Sequence, residues 1–408
     1  MLGDIHQVHP SAIRQAFGSP PRHRIPWLVI ATWFALFVNV VPIVGGPTLI
    51  PIPEPLTQAV TQGALVLALL LALMANPRVV IRPQWYLLLL TVAGVVSLLV
   101  SVHNEFLLGS TYRAGRLLVF LVVLWLLTPW WGRRDMLLLR CHRWFMWVLL
   151  GSVLIGAIVW PGEAFKFDGR LAGVIWPIWP THVAHYAAVL LGTSAVLWLS
   201  RVITGRNALF TIAVCGAAIY MTHTRTAIAA VVLGLVFAGA SLFLGQARSR
   251  RVTAVAVATA FLVSLAFASP LTTWLMRGQS EQEALALTGR TDVWSEVFEA
   301  PRPALNDLFG SGVSDKSFNG LPIDSSWVST YYDQGWFGVA IQGVVLLSLL
   351  LMAAARPRGP RRAVALFLIV YCTVASLTET GLLTPSPYLL DLTVAAALLT
   401  NHARRGQT

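Results

Sequence analysis

Charge is scarce in this chain: Asp, Glu, Lys and Arg make up 11% of its 408 residues, against about 25% in a soluble protein. That scarcity excludes an ordinary soluble fold. Cysteine is rarer still, with three residues in all. Cys141, Cys215 and Cys372 fall at a cytoplasmic edge or inside apolar stretches, which leaves no external pair for a disulfide and no thiolate spacing for a metal. The sequence shows no internal repeat, no low-complexity tract and no inverted symmetry of the kind secondary transporters carry. What fills the chain instead is apolar: 56% of residues, with a mean hydropathy of +0.71, arranged in blocks close to the ~20 residues that span a bilayer as a helix. An all-α polytopic membrane protein follows.

Twelve stretches qualify as spans: 26–44, 56–74, 85–102, 114–131, 144–160, 182–200, 207–222, 226–244, 252–269, 331–354, 363–378 and 388–400. With the N-terminus inside, the inner segments collect 20 of the 29 basic residues, among them Arg133, Arg248, Arg250, Arg251, Arg356 and Arg361, against only Asp4 and Asp135. That is the positive-inside asymmetry, and it orients both termini to the cytoplasm. The formal charge of +12 is therefore topogenic, and no nucleic-acid partner is expected. Residues 1–25 carry Arg and Pro without an apolar core and cleavage site, so they read as a cytoplasmic tail. Residues 26–400 form the membrane domain and residues 401–408 a second cytoplasmic tail.

Two external loops exceed what a turn requires, 161–181 and 270–330. Function on a scaffold of packed helices concentrates on such segments. In the larger one, Val293, Trp294, Val297 and Phe298 share a helical face behind Thr291 as N-cap, which predicts a short amphipathic helix over 288–300 lying along the outer interface. Beyond Pro301, Gly310, Gly312 and Asn319 read as irregular backbone.

Nine bases lie outside, where topology gives them no reason to be: Arg113, Arg116, Lys166, Arg170, Arg225, Arg277, Arg290, Arg302 and Lys316. Arg225 sits in a three-residue turn between two spans, either as a snorkelling anchor or as a phosphate ligand, to which the planar guanidinium fork is suited. Arg170 reads as a loop ion pair with Asp168 or Glu163, or as a second anion ligand. His182, His185 and His223 gather near outer span ends. Without an accompanying carboxylate or thiolate at ligand spacing they read as interfacial or substrate-binding imidazoles, and no metal is expected. Asp324, just before the tenth span, is either an N-cap or a general base at the membrane surface. Apart from Asp391, ionisable groups deep in the spans look almost absent, which argues against an ion-coupled transporter or flippase.

Three blocks in this order resemble the O-antigen ligase and polymerase family, multi-pass enzymes that move glycans from undecaprenyl diphosphate carriers outside the bacterial cytoplasmic membrane. Arg170-Leu-Ala-Gly173 with Trp179-Pro180-Thr181 is similar to the family's Arg-x-x-Gly stretch and His-Pro-Asn element, of which only the proline is kept. Thr222-His-Thr-Arg225-Thr-Ala227 resembles its Thr-x-Ser-Arg-Gly-Ala block. Thr288-Gly-Arg290 through Trp294, Leu308-Phe-Gly310-Ser-Gly312, Asp324-Ser-Ser-Trp327 and Asp333-Gln-Gly335-Trp-Phe-Gly338 resemble its large loop and the start of the next span. Family ligases carry a His where this chain has Asp324, which leans toward a polymerase. The resemblance implies a metal-independent, cofactor-free glycosyltransferase in the inner membrane. Its partners would be a polyprenyl diphosphate-linked glycan, membrane lipids and other parts of a polysaccharide assembly system. Arg170 and Arg225 would bind the diphosphate, Asp324 would serve as base, Arg290 would be a further contact, and His182, His185 and His223 would line the substrate. Ligase-type transfer of a finished glycan to a lipid or protein is the alternative within the same chemistry.

Overall fold

The computed structural model of the protein describes residues 27–41, 53–102, 107–133, 135–243 and 290–401. The ninth expected span, the expected N-terminal tail, the expected C-terminal tail beyond Asn401 and the first part of the large loop lie outside these residues. Fourteen α-helices are described, and we number them α1 (Trp27–Val40), α2 (Glu54–Ala75), α3 (Trp85–Ser101), α4 (Leu107–Leu127), α5 (Leu137–Val159), α6 (Pro161–Ala164), α7 (Pro180–Leu199), α8 (Gly205–Thr222), α9 (Arg225–Phe243), α10 (Arg290–Glu299), α11 (Ala304–Phe309), α12 (Ser326–Ala355), α13 (Pro360–Ala375) and α14 (Pro387–Leu399). A two-stranded hairpin, β1 (Ser317–Phe318) and β2 (Leu321–Pro322), is the one sheet among them.

Eleven of the twelve expected spans coincide with helices, but six helices are long and apolar enough to cross a membrane by length and composition. The described residues thus show a helical membrane protein with six such helices, and they do not confirm the full count of twelve. α14 is the shortest of the helices that coincide with expected spans. Its 13 residues reach about 20 Å at 1.5 Å per residue, short of the ~30 Å hydrocarbon core, and all of them are buried. It is a central helix shielded by its neighbours.

Packing in the middle of the bundle depends on small residues, as expected where lipid removes most of the hydrophobic drive between helices. Phe367 of α13 is fully buried and fills a notch left by Gly192 of α7 and Gly234 of α9. A Cβ on Gly192 would lie 1.8 Å from the Phe367 ring, and one on Gly234 2.8 Å from it. Beside this lies a polar cluster the sequence did not reveal. Asp391 of α14 is fully buried and held by two equally buried histidines, with His142 Nε2 2.5 Å from one carboxylate oxygen and His185 Nε2 3.2 Å from the other. His185 Nδ1 meets the Tyr371 hydroxyl at 3.1 Å. The expectation that the spans hold little ionisable besides Asp391 is thus corrected: a carboxylate needs partners to enter a low-dielectric interior, and His142 and His185 supply them.

The two ends of the bundle differ. At one end Arg356 donates to the Leu399 carbonyl and Asn401, Arg361 donates to the Gly132 and Arg133 carbonyls, and Arg133 and Arg140 pair with Asp135. Arg356 here closes an orphan carbonyl at the C-terminus of α14. The other end gathers the two long connections and the turns after α8 and α13.

Candidate active site

Arg170 reaches this end through a tight turn. Asp168 and Gly169 both adopt positive φ, 50° and 70°, the signature of a two-residue I′ hairpin, and the Arg170 amide donates to the Phe167 carbonyl at 2.8 Å. The next residue, Leu171, donates its amide to the Met221 carbonyl at 3.0 Å, which lays the turn along the end of α8. Arg170 Nε then donates to the Thr222 carbonyl at 2.9 Å, and a terminal nitrogen approaches Thr224 Oγ1 at 3.5 Å. The expected ion pair with Glu163 does not form, since Glu163 pairs with Lys166 at 3.2 Å. Burial pulls the Arg170 guanidinium below its ordinary pKa, the charges of Asp168 and Glu379 push it back up, and Arg290 lowers it further.

Asp324 does not cap α12. The capping position is Ser325, and Asp324 Oδ2 instead accepts from Arg290 Nε at 3.2 Å, both side chains being partly exposed. The two are 34 residues apart, and α10 brings them together. Val293 and Val297 bury against Ile323, Val328 and Tyr331, so the helix start carrying Arg290 lies over the residue before α12. This confirms the amphipathic helix, with Arg290–Glu299 as its bounds and Thr291 inside its first turn rather than ahead of it.

Glu379 is the functional candidate that sequence reasoning missed. It lies in the connection between α13 and α14, half-buried, and that connection is tied to the site on both sides. The Ser326 amide donates to the Ser376 carbonyl at 2.9 Å, Trp327 Nε1 donates to Ser376 Oγ at 3.0 Å, and Thr378 Oγ1 donates to Thr226 Oγ1 at 2.9 Å. These bonds set Glu379 beside the start of α12, which follows Asp324, and beside the start of α9, which carries Arg225. Burial raises the Glu379 carboxyl to about 7, the charge of Asp324 adds to the rise, and Arg290 and Arg170 oppose it. Two guanidinium groups and two carboxyl groups thus share one electrostatic neighbourhood, with a third arginine, half-buried Arg225, at the adjoining helix start.

Of the imidazoles, His182 stands half-buried in the first turn of α7 and His223 ends α8 in a left-handed conformation (φ 51°) with its ring 6.2 Å from that of Tyr220. His185 points elsewhere, fully buried in the bundle core against Asp391 and Tyr371. Other bases expected outside have partners of their own. Arg302 lies over the Tyr331 and Tyr332 rings at 5.1 and 4.7 Å, Lys316 pairs with buried Asp333, and Arg116 donates to the Asn39 carbonyl at 2.7 Å. Arg277 lies outside the described residues. No group of three or more His, Cys, Asp or Glu among the described residues is arranged to hold a metal.

Residues 209–343 match the family model described as O-antigen ligase. That stretch is similar to the O-antigen ligase family. The O-antigen ligase match contains Arg225, Arg290 and Asp324, while Arg170 and Glu379 lie outside it and join the site through the fold. No curated protein matches the sequence. A solved chain described under "Structural coordination of polymerization and crosslinking by a peptidoglycan synthase complex" is similar over 79% of this chain and 99% of its own, at 16% identity and a TM-score of 0.47.

Proposed function

We propose that this protein is a membrane glycosyltransferase of the O-antigen polymerase type, moving an oligosaccharide from a polyprenyl diphosphate carrier to a sugar hydroxyl at the outer face of the bacterial cytoplasmic membrane. The observation that carries the reading is the convergence of Arg170, Arg290, Asp324 and Glu379 at one end of the bundle, next to Arg225 and partly inside the O-antigen ligase match. In the reaction the acceptor oxygen bonds to the anomeric carbon, the bond from that carbon to the diphosphate breaks, the diphosphate leaves with the electron pair, and a carboxylate takes the hydroxyl proton. The developing negative charge on the diphosphate is what the arginines are suited to stabilise, since guanidinium groups bind phosphate oxygens bidentately and stay charged when partly desolvated.

The test is to reconstitute the purified protein in liposomes with a polyprenyl diphosphate-linked oligosaccharide and to analyse the products. A ladder of lengthened lipid-linked glycans with release of polyprenyl diphosphate is expected. A single transfer to an added lipid or protein acceptor would reassign it as a ligase. Release of neither product nor carrier would remove the transferase reading.

A further inference from the structure

Resting on that reading, we propose that Glu379, and not Asp324, is the general base that takes the acceptor proton. Geometry separates the two carboxylates. Asp324 is engaged by Arg290 at 3.2 Å, a charge-assisted hydrogen bond that occupies one of its carboxylate oxygens. The segment that leads into Glu379 is fixed instead: Ser376 is bonded to Ser326 and Trp327, and Thr378 to Thr226. The carboxyl thereby shares one electrostatic neighbourhood with Arg170, Arg290 and Asp324. A carboxyl that titrates near 7 matches the condition for efficient base catalysis at neutral pH. Asp324 then acts as a positioning residue: its pair with Arg290 anchors α10 over the site and its charge raises the basicity of Glu379.

In the transfer step Glu379 carboxylate accepts the hydroxyl proton as the acceptor oxygen bonds to the anomeric carbon, and the proton leaves to solvent once product departs. The carboxylate form is the working one, so the rate rises with pH through about 7 and falls as the carboxyl is protonated below it.

The experiment measures transfer by full-length protein in proteoliposomes between about pH 5.5 and 8.5, together with donor binding, a range chosen to bracket a base poised near neutrality. Wild type is expected to show an acid limb near pH 7. Glu379→Gln is expected to lose about 10²- to 10⁴-fold in rate while binding donor, and its residual activity is expected to lack the limb. Asp324→Asn is expected to keep a limb, moved to lower pH because one negative charge beside Glu379 is gone. A Glu379→Gln protein with the parental rate and limb overturns the assignment, and so does one that loses donor binding in proportion to rate. If the Gln variant does not fold, Glu379→Asp decides: its limb is expected to move, and one that stays at the wild-type pH overturns the proposal. A wild type that transfers nothing ends the function reading as well, which distinguishes the two failures.

Discussion

At the residue scale the arginines offer the sharpest contrast. A snorkelling or charge-only role tolerates lysine, whereas a planar fork placed against phosphate does not. Arg170 has its plane fixed by Thr222 and Thr224, so Arg170→Lys is expected to be nearly as damaging as Arg170→Ala in the transfer assay, and the same holds for Arg225. Full transfer by both lysine variants at normal protein levels would return them to anchors. Glu379 allows a stability measurement independent of activity. Its folded carboxyl, raised from 4.5 to about 7, makes a contribution that is fully present below pH 4.5 and is lost as pH rises through about 7. Glu379→Gln, which cannot ionise, is therefore expected to melt higher than wild type at pH 8, by at most about 3 kcal/mol at 1.36 kcal/mol per pKa unit, with the difference vanishing at pH 4. An equal melting temperature at both pH values would show that the carboxyl is not destabilised as an anion. Arg170, Arg290 and Asp324 were legible because each is a charge on an otherwise apolar or loop background. Glu379 was not, since an acid just past a span resembles any loop residue until the Ser326 to Ser376 bond brings two distant segments together.

At the scale of elements, apolar periodicity located the helices, but their ends and interruptions depended on backbone geometry. Asn319 and Gly320 both adopt positive φ between paired Phe318 and Leu321, a hairpin turn whose Asn-Gly signature was present in the sequence and was read as irregular. Gly335 breaks α12 with φ 62° and ψ −165°, a region essentially reserved for glycine. It also lets α11 approach, for a Cβ there would fall 2.4 Å from the Leu308 carbonyl carbon. Gly335→Ala is expected to cost at least about 1–3 kcal/mol from the backbone conformation alone, read as a lower melting temperature, and to reduce transfer by displacing the segment that follows Asp324. A stable and fully active Gly335→Ala protein would show that the kink is dispensable.

At the scale of the whole molecule, the buried His142, Asp391 and His185 cluster joins α5, α7 and α14. Removing the carboxylate leaves two core imidazoles without their partner, so Asp391→Ala is expected to lose about 3–5 kcal/mol of stability, measured by thermal unfolding in detergent. Unchanged stability would make the cluster incidental to the fold. Composition announced the membrane and the helices, but it could not show that α14 is enclosed by its neighbours, because burial against protein and burial in lipid select the same side chains. Orientation is open to direct labelling, since Cys141, Cys215 and Cys372 are all buried and give little background. A Ser295→Cys probe on the exposed side of α10 is expected to react with impermeant reagents from outside the cell.

The most direct measurement of the central claim, an arginine-lined site for a diphosphate-linked lipid, is equilibrium binding of a polyprenyl diphosphate to the purified protein, with the corresponding monophosphate as control. The expected result is tighter binding of the diphosphate and a loss of about tenfold or more in both Arg170→Lys and Arg225→Lys, the scale of one charge-assisted hydrogen bond at about 1.5–3 kcal/mol. Equal affinity for the two lipids, undiminished in both variants, would contradict it.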